Sequence, residues 1–307
     1  MAWMLGYKQI QLTDKPILDH FLKKITNQNS ETTFTNLYMW RKSYAVRWAV
    51  VNNHLVIEPN AFEASWILPP YGLEQDSHLF KHAVEDVIND YRSRQKTLVV
   101  RAITETEKKK FDISFPNMFD YTLEPDIADY IYLGENLRTL AGRKYSKKRN
   151  HINAFKSDHP DYKFEEMTEA TAYEALDFLE RWYGKRYLEN SLDDGLLAER
   201  EAVYNALTNS KDLDFKGGFI RVGGKIVAFT MGEKVNEDTV VIHIEKAFPE
   251  YRGLYPVINQ DYLNYFWQDI TYVNREEDMG LPGLKKAKES YYPDYLLRKY
   301  RGVYING

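Results

Sequence analysis

The most informative stretch of this sequence is Gly218-Phe-Ile-Arg-Val-Gly-Gly-Lys-Ile-Val-Ala-Phe-Thr-Met-Gly232. Two β-branched and aromatic runs flank Gly223-Gly224, and a glycine pair between such runs is typical of a type I′ turn in a β-hairpin. We therefore predict strands over 218–222 and 225–232. A third strand follows over 239–244, and the apolar spacing of 257–267 predicts a helix that packs on this sheet.

The elements on either side extend this hairpin into a larger α+β unit. A strand and two helices are predicted before it, and a strand, a helix and a strand after it: 163–166, 170–187, 196–208, 270–274, 284–290 and 297–304. Residues 1–134 give the same order, β-α-α-β-β-β-α-β-α-β, including a regular helix over 80–91 and a closing strand over 130–133. The repeat lies in element order and not in residue identity.

Length and composition bound the classes of function. The 307 residues suit about two domains. The formal net charge of −4 means that any polyanion site must be a local patch. The chain has no cysteine, which excludes disulfides and thiol nucleophiles, and its histidines are scattered, which argues against a metal site. Because it shows neither a signal peptide nor a run of 18 apolar residues, we expect a cytoplasmic protein without a transmembrane segment.

A basic segment, 135–160, separates the two halves. Five apolar residues in it have helical spacing: Leu137, Ala141, Tyr145, Ile152 and Phe155. Its cations include like-charged pairs four residues apart, which disfavour a helix unless an anion is near. We interpret the segment either as a solvated helix between domains or as a contact for tRNA phosphates, a lipid phosphate or a pyrophosphate. The candidate contacts are Arg143, Lys144, Lys147, Lys148 and Arg149.

Two further stretches place polar residues where strands end. Glu245 closes the strand that begins near 239, and the chain then turns at Arg252-Gly253 into a helix, which presents backbone N–H groups to an anion. A surface ion pair of Glu245 with Lys246 or Arg252 is the simpler interpretation. The second stretch, 272–293, combines three successive acids with Arg275 and three lysines. It could bind an amine and a phosphate at a sheet edge, or it could be a helix start with acids first and cations later.

Together these residues resemble the C-terminal domain family of lysylphosphatidylglycerol synthases, a tandem GNAT-fold family related to the Fem-type aminoacyltransferases. Three motifs in order carry the resemblance: Leu140-Ala-Gly-Arg-Lys-Tyr145 with Lys148-Arg-Asn150, Ile152-Asn153 and Phe155; Glu245-Lys-Ala247 with Gly253, Tyr255 and Ile258-Asn259; and Asn274-Arg-Glu-Glu-Asp278 with Gly280, Gly283-Leu284, Ala287-Lys288, Ser290-Tyr291 and Pro293. The resemblance predicts an α+β fold of two GNAT-like domains, each a mixed, mostly antiparallel sheet flanked by helices. The expected boundaries are 1–134 for the supporting domain, 135–160 for a basic linker helix, and 161–307 for the domain with the active cleft.

The resemblance implies transfer of an aminoacyl group from aminoacyl-tRNA to a lipid headgroup or, as in the Fem-type enzymes, to a cell-wall peptide. We therefore predict an acyl- or aminoacyltransferase that acts on an amine or hydroxyl of a lipid headgroup, a peptide or a small molecule, with no cofactor required. Carried over residue by residue, it places four catalytic residues in the cleft: Glu245, Asp278, Lys288 and Tyr291. Glu245 or Asp278 would accept a proton, Tyr291 would protonate the leaving group, and Lys288 or backbone N–H groups would stabilise the oxyanion. The substrate contacts would be the basic residues above together with Arg252, Gly253, Tyr255, Asn259, Asn274 and Arg275.

Two departures from this family leave the donor and the acceptor open. The synthases carry a membrane domain that this sequence does not show, so a bilayer lipid would need peripheral binding. Tyr255 stands where coenzyme A-dependent GNAT enzymes place a small residue against the pyrophosphate. The alternatives are therefore an acyl-CoA-dependent N-acyltransferase acting on a small metabolite, and a non-catalytic module that binds RNA or another anion.

Overall fold

A computed structural model describes residues 5–61, 64–73, 77–189 and 194–305. Its strands, in chain order, are β1 Lys8–Gln9, β2 Arg47–Val51, β3 His54–Glu58, β4 Asn60–Ala61, β5 Ala64–Ser65, β6 Tyr71–Gly72, β7 Val99–Ile103, β8 Phe119–Leu123, β9 Asp129–Leu133, β10 Lys163–Glu166, β11 Lys216–Val222, β12 Lys225–Lys234, β13 Thr239–Ala247, β14 Tyr272–Asn274, β15 Tyr295–Leu297 and β16 Tyr300–Tyr304. Its α-helices are α1 Lys15–Leu22, α2 Phe34–Met39, α3 Ser77–Ser93, α4 Glu105–Ser114, α5 Gly134–Thr139, α6 Ser146–Asp158, α7 Ala172–Glu189, α8 Asp194–Thr208, α9 Leu254–Phe266 and α10 Pro282–Glu289.

The first of two compact units comprises Met1–Asp129, Glu277–Leu281 and Leu297–Gly307. Its main sheets are antiparallel, with strand orders β1-β2-β3-β6 and β7-β16-β8. The apolar face of α3, including Phe80, Val84, Val87 and Tyr91, is buried in one core with side chains from both sheets. The helical spacing predicted for residues 80–91 is therefore confirmed.

The second unit, Tyr130–Glu276 with Pro282–Leu296, is built on a seven-stranded sheet of order β10-β11-β12-β13-β14-β9-β15. The pairings β10–β11, β11–β12, β12–β13 and β14–β9 are antiparallel, and β13 pairs with β14 in parallel. The β11–β12 turn contains Gly223 at φ 54° and Gly224 at φ 78°, as a type I′ hairpin requires, so the predicted hairpin is confirmed. Helices α7 and α9 pack against β12 and β13, which gives the predicted α+β architecture.

The parallel pairing of β13 with β14 is short, and this shapes the sheet edge. It joins Thr239 to Tyr272, Val240 to Val273 and Val241 to Asn274, while β13 continues to residue 247. On the other side of β13, the pairing with β12 shifts register and passes over His243, which forms a β-bulge. A bulge bends its strand and redirects the side chain of the extra residue. Beyond Val241 and Asn274, the two parallel strands are therefore free to diverge.

Two strands pair outside the half of the sequence in which they were predicted. Residues 130–133, expected to close the first sheet, form β9 between β14 and β15 of the second unit. The predicted strand 297–304 is instead two strands, and β16 pairs with β7 and β8 of the first unit. The compact units are consequently not continuous in sequence and differ from the expected boundaries at 134/135 and 160/161.

The basic segment is not one continuous helix, and that prediction was wrong. Helix α5 ends at residue 139, Leu140 has φ 49° and Gly142 has φ 88°. Left-handed residues cannot continue a right-handed helix, so the chain restarts through a 3-10 turn, Arg143–Tyr145, into α6. All of 135–160 lies within the second unit and does not form a separate linker.

Candidate functional site

An ion pair joins β13 to the chain beyond β14, where the backbone pairing has stopped. The Arg275 Nη2 donates to the Glu245 Oε1 at 2.8 Å, and the Asn259 Nδ2, from α9, donates to the Glu245 Oε2 at 2.8 Å. Both charged side chains are largely buried, at 13% and 10% exposure. A buried ion pair is tolerated when further hydrogen bonds satisfy its remaining polar atoms, and Asn259 supplies one here.

Tyr291 and Lys148 complete this group of side chains. The Lys148 Nζ lies 3.7 Å from the centroid of the Tyr291 ring, and the Arg275 guanidinium carbon lies 4.7 Å from it. Lys148, on α6, also donates to the Ser290 Oγ at 2.7 Å. We call Lys148, Glu245, Asn259, Arg275 and Tyr291 the Arg275 cluster.

The environment of the cluster sets the charges of its members. Burial, and then the positive charge of Arg275, lower the pKa of Lys148 to about 8. Burial raises the pKa of Tyr291 in spite of the positive charge of Arg275, so the phenol stays protonated at neutral pH. Burial works against the charge of Arg275, but Glu245 outweighs it and the pKa of Arg275 is raised. The cluster thus holds a fixed cation, a neutral phenol and an amine near its own pKa.

Among the residues that the structure describes, no hydrogen-bond partner faces two buried polar atoms of the cluster, the Arg275 Nη1 and the Asn259 Oδ1. Glu245 binds both residues through their other polar atoms, so it orients each of them. An unpaired buried polar group is costly, and in native proteins such groups call for an explanation such as a ligand. A carbonyl oxygen would satisfy the Arg275 donor.

Lys288 and Asn274, both predicted as site residues, hold the backbone on either side of Arg275. The Lys288 Nζ donates to the carbonyl oxygen of Arg275 at 2.6 Å, and the Tyr132 hydroxyl donates to the carbonyl of Lys288 at 2.9 Å. The Asn274 Oδ1 accepts a hydrogen bond from the backbone N–H of Glu276 at 2.6 Å. Their contacts therefore fix the position from which the Arg275 side chain extends.

Asp278 lies in Glu277–Leu281, which belongs to the first unit, whereas the Arg275 cluster belongs to the second. It is buried, and its Oδ1 accepts the backbone N–H of Gly280 at 2.8 Å. This contact is typical of a side chain that stabilises its own turn. The proton-accepting role of Asp278 stays a prediction.

The basic residues next to the cluster divide into exposed and inward-facing groups. Arg143, Lys144 and Lys147 are exposed, and within the described ranges Arg143 and Lys147 form no ion pair. The Lys144 Nζ lies 5.4 Å from the ring centroid of Tyr292, the residue after Tyr291. Arg149 instead donates to the carbonyls of residues 140 and 142 and so stabilises the break between α5 and α6.

The turn before α9 has a packing role that its sequence did not reveal. Gly253 has φ 87°, and a Cβ placed on it would lie 2.1 Å from the carbonyl oxygen of His151 on α6. Glycine is therefore required by the close approach of two backbones. Arg252 is exposed and Tyr255 is 38% exposed, so both remain accessible beside this turn.

Sequence reasoning missed a second charged group, formed by Glu233, His243 and Glu276. The His243 Nδ1 lies 2.8 Å from the Glu276 Oε1, and its Nε2 lies 3.0 Å from the Glu233 Oε1. Burial opposes the charge of His243, but the hydrogen bonds that its ring donates to both glutamates raise its pKa to about 9. His243 stands two residues before Glu245 on β13, which was the available clue, but no pattern linked it to Glu233 on another strand.

Comparison with known proteins identifies related sequences and folds. The sequence profile of the family described as phosphatidylglycerol lysyltransferase, C-terminal, matches residues 22–302. The crystal structure of a conserved protein of unknown function from Bacteroides thetaiotaomicron is 34% identical, covers 98% of this chain and 100% of that one, and superposes with a TM-score of 0.92. An uncharacterized protein of Mycoplasmoides gallisepticum is 24% identical over 198 residues, which span 64% of this chain and 60% of that relative.

Two solved structures share the fold at low sequence identity. The C-terminal domain of a putative lysylphosphatidylglycerol synthetase from Agrobacterium fabrum is 12% identical over 95% of this chain and 90% of that one, with a TM-score of 0.66. The structure of L-PGS from Bacillus licheniformis is 14% identical over 96% and 93%, with a TM-score of 0.65. The predicted α+β fold class is confirmed. Within the ranges that the structure describes, no helix has the length and apolar character needed to cross a bilayer.

Proposed function

The chain belongs to the phosphatidylglycerol lysyltransferase C-terminal family, and on this premise we propose that it transfers an aminoacyl group from aminoacyl-tRNA to an amine or hydroxyl acceptor. The observation that carries the proposal is the Arg275 cluster, in which a buried guanidinium lies beside a neutral phenol and an amine whose pKa is about 8. The reaction would take place in the cytoplasm, with a lipid headgroup, a peptide or a small molecule as acceptor.

Arg275 stabilises the negative charge that develops on the ester carbonyl oxygen in the proposed site. The acceptor lone pair attacks the ester carbonyl, and negative charge develops on the carbonyl oxygen as the new bond forms. The unpaired N–H of the Arg275 Nη1 stabilises that charge, as preorganised donors do in acyl transfer. Glu245 orients the guanidinium by accepting a hydrogen bond from the Arg275 Nη2, and Asn259 holds the other oxygen of the same carboxylate. In this proposal Glu245 is therefore a positioning residue, and Lys148 takes the proton-accepting role that the sequence predicted for Glu245 or Asp278.

Lys148 and Tyr291 handle the proton in this proposal. The neutral amine of Lys148 accepts a proton from the attacking nitrogen or oxygen, and a pKa of about 8 suits a general base at physiological pH. The Tyr291 phenol gives its proton to the ribose oxygen as the ester C–O bond breaks. Lys148 then returns its proton to Tyr291. The net result is one proton moved from acceptor to ribose, with no cofactor consumed.

The exposed cations beside the cluster support an RNA donor. Arg143, Lys144 and Lys147 precede or begin α6, the helix that also carries Lys148, and Tyr292 contacts Lys144 while adjoining Tyr291. Phosphates bound there would bring the 3′ end of a nucleic acid towards the cluster. Such contacts release counterions, so binding should weaken as salt rises.

The test is transfer of label from tRNA to a stable product. Total tRNA charged with radiolabelled amino acids is incubated with the purified protein and a whole-cell extract of lipids and metabolites. We expect label to move, and we expect Tyr291→Phe to stop the transfer because it removes the proton donor. Tyr292→Phe is the matched control, since it removes a hydroxyl from the adjacent and more exposed ring.

The outcomes separate the alternatives. If label leaves tRNA no faster with the protein than by uncatalysed hydrolysis, aminoacyl-tRNA is excluded as the donor for the acceptors supplied. Acyl-CoA thioesters are then tested as donors in the same mixture. Salt-sensitive tRNA binding without any transfer, and with no effect of Tyr291→Phe, would support the non-catalytic RNA-binding alternative instead.

A further inference from the structure

We propose that His243 is a positioning residue that stays protonated and ties the chain beyond β14 to β12 and β13, so that Arg275 points towards Glu245. The effect of His243 on catalysis rests on the proposed function. Its protonation and its contacts with the two glutamates do not depend on that function. Glu276 lies in the third sequence motif, but His243 and Glu233 are not among the candidate site residues, and no motif links the three side chains.

The geometry of His243 requires a charged ring. Both ring nitrogens lie within hydrogen-bond distance of glutamate oxygens, at 2.8 Å and 3.0 Å. An ionised carboxylate only accepts hydrogen bonds, so each nitrogen must carry a proton, and a ring with two N–H groups is an imidazolium. The His243 side chain is 1% exposed, and a charge buried so completely needs such partners. Its pKa of about 9 agrees with this assignment.

The fold places this ring between three segments of chain. His243 is the bulged residue of β13, Glu233 lies near the end of β12, and Glu276 follows β14. These two glutamates are the titratable groups that face the imidazolium. Because the ladder between β13 and β14 ends at Val241 and Asn274, the ring bridges a gap that no backbone hydrogen bond of that ladder spans.

Glu276 is the residue after Arg275, so its contact with His243 acts on the backbone next to Arg275. Its backbone has φ 57°, a left-handed conformation that is unfavourable for a non-glycine residue unless its surroundings hold it there. Asn274 accepts its N–H at 2.6 Å, and its carbonyl accepts the N–H of Tyr130 at 3.1 Å. The contact with His243 fixes the side-chain end of the same residue. Releasing it would leave the left-handed backbone next to Arg275 held by these backbone contacts alone.

The first measurement is nitrogen-15 NMR of the ring nitrogens of His243, assigned by the loss of their signals in His243→Gln. At pH 7.5 we expect both nitrogens to be protonated, and the ring should lose its proton with a midpoint near pH 9. A ring with a single protonated nitrogen at pH 7.5 would overturn the proposal. No substrate is needed, so this result is independent of the proposed function.

The second measurement tests the tie to Arg275. Its guanidinium N–H signals, assigned with Arg275→Lys, should exchange slowly in the wild-type protein because the group is buried and paired with Glu245. Glu276→Gln should speed that exchange at least tenfold, whereas Glu237→Gln, which changes an exposed glutamate in the β12–β13 turn, should leave it unchanged. Glu233→Gln should lower the pH at which half of the His243 rings have lost a proton, while the contact between His243 and Glu276 persists.

Activity gives a further readout if the proposed transfer is found. Glu276→Gln should lower kcat at least tenfold with little change in KM, because the guanidinium is misplaced while the donor still binds. If Glu276→Gln does not fold, raising the pH of the wild-type protein through 9 neutralises the ring, which then keeps only one of its two N–H donors, and Arg275 exchange should rise more steeply with pH than the base-catalysed exchange of the exposed Arg143. Unchanged Arg275 exchange in Glu276→Gln, or a pH dependence no steeper than that of Arg143, would refute the positioning role.

Discussion

Lys148→Arg tests the central chemical assignment, because it keeps the positive charge and removes the ability to lose a proton near neutral pH. The pKa of Lys148 is lowered to about 8, so about one tenth of the amine is neutral at pH 7 and about half at pH 8. If the neutral amine is the general base, the transfer rate of the wild-type protein should rise about fivefold between these values. An arginine stays protonated throughout, so the variant should show no such rise.

The assay is single-turnover transfer of label from aminoacyl-tRNA, measured from pH 6.5 to 8.5 with the enzyme-free ester hydrolysis subtracted. A general base contributes about 10²- to 10⁴-fold, so Lys148→Arg should lose activity within that range at pH 8. Its affinity for tRNA, measured at the same salt concentration, should change little because the charge is retained. Lys156→Arg, an exposed position on the same helix, is the matched control.

The result that would refute this reasoning is a Lys148→Arg variant that keeps its rate within threefold and follows the wild-type pH profile. Lys148 would then contact a phosphate or the Tyr291 ring as a permanent cation, as the sequence analysis first suggested for the whole basic segment. A wild-type rate that is flat between pH 7 and 8 would equally exclude an essential group with a pKa of about 8.

Three further predictions concern stability. Because the pKa of His243 is raised from 6.5 to about 9 in the folded state, its stabilisation is fully present below pH 6.5 and is lost as the pH rises through about 9. This amounts to about 3 kcal/mol, so the difference in unfolding free energy between wild type and His243→Gln in urea should shrink by that much from pH 6.5 to 9.5, and a constant difference would contradict it. Gly253→Ala places a methyl group 2.1 Å from the His151 carbonyl oxygen and should lower the free energy of unfolding by about 3 kcal/mol or more. Gly224→Ala, the control, also has positive φ but meets open space, and should cost about 1 kcal/mol. Equal effects of the two substitutions would disprove the clash. Lys299→Met leaves Asp129 as an uncompensated buried charge and should lower the free energy of unfolding in urea by about 3–5 kcal/mol. Lys108→Met, at an exposed ion pair, should lower it by less than about 1 kcal/mol. Similar losses in the two variants would contradict a stabilising role of the buried Lys299–Asp129 pair.

Local pattern was sufficient where neighbouring residues determine the structure. The Gly223-Gly224 hairpin and the helix over 80–91 follow from turn geometry and from apolar spacing, and both are confirmed. The same reasoning failed at Leu140, because a leucine with positive φ has no signature of its own. It failed again for the closing strands, since β-branched residues show that a strand forms but not which sheet it joins.

The candidate site was predictable in part for the same reason. Glu245, Asn259, Arg275, Tyr291 and Lys148 were singled out, and the structure brings them together. Their relative roles depend on contacts that sequence does not contain, such as the two hydrogen bonds that occupy the Glu245 carboxylate. The His243 group was invisible because its three members come from β12, β13 and the chain beyond β14, and His243 lies at a bulge that no sequence pattern predicted.

The position of β16 has a consequence for how the protein is made. It is the central strand of the sheet β7-β16-β8, so β7 and β8 have no partner in that sheet until residues 300–304 have been translated. During synthesis, which proceeds at about 5–20 residues per second, the ribosome must produce more than 170 residues after β8 before this sheet can close. Until then, β7 and β8 of the nascent chain each expose an edge that lacks its β16 partner, and unpaired strand edges are templates for aggregation. Chaperone binding to nascent chains should accordingly persist until β16 has emerged, instead of ending when the first half has emerged.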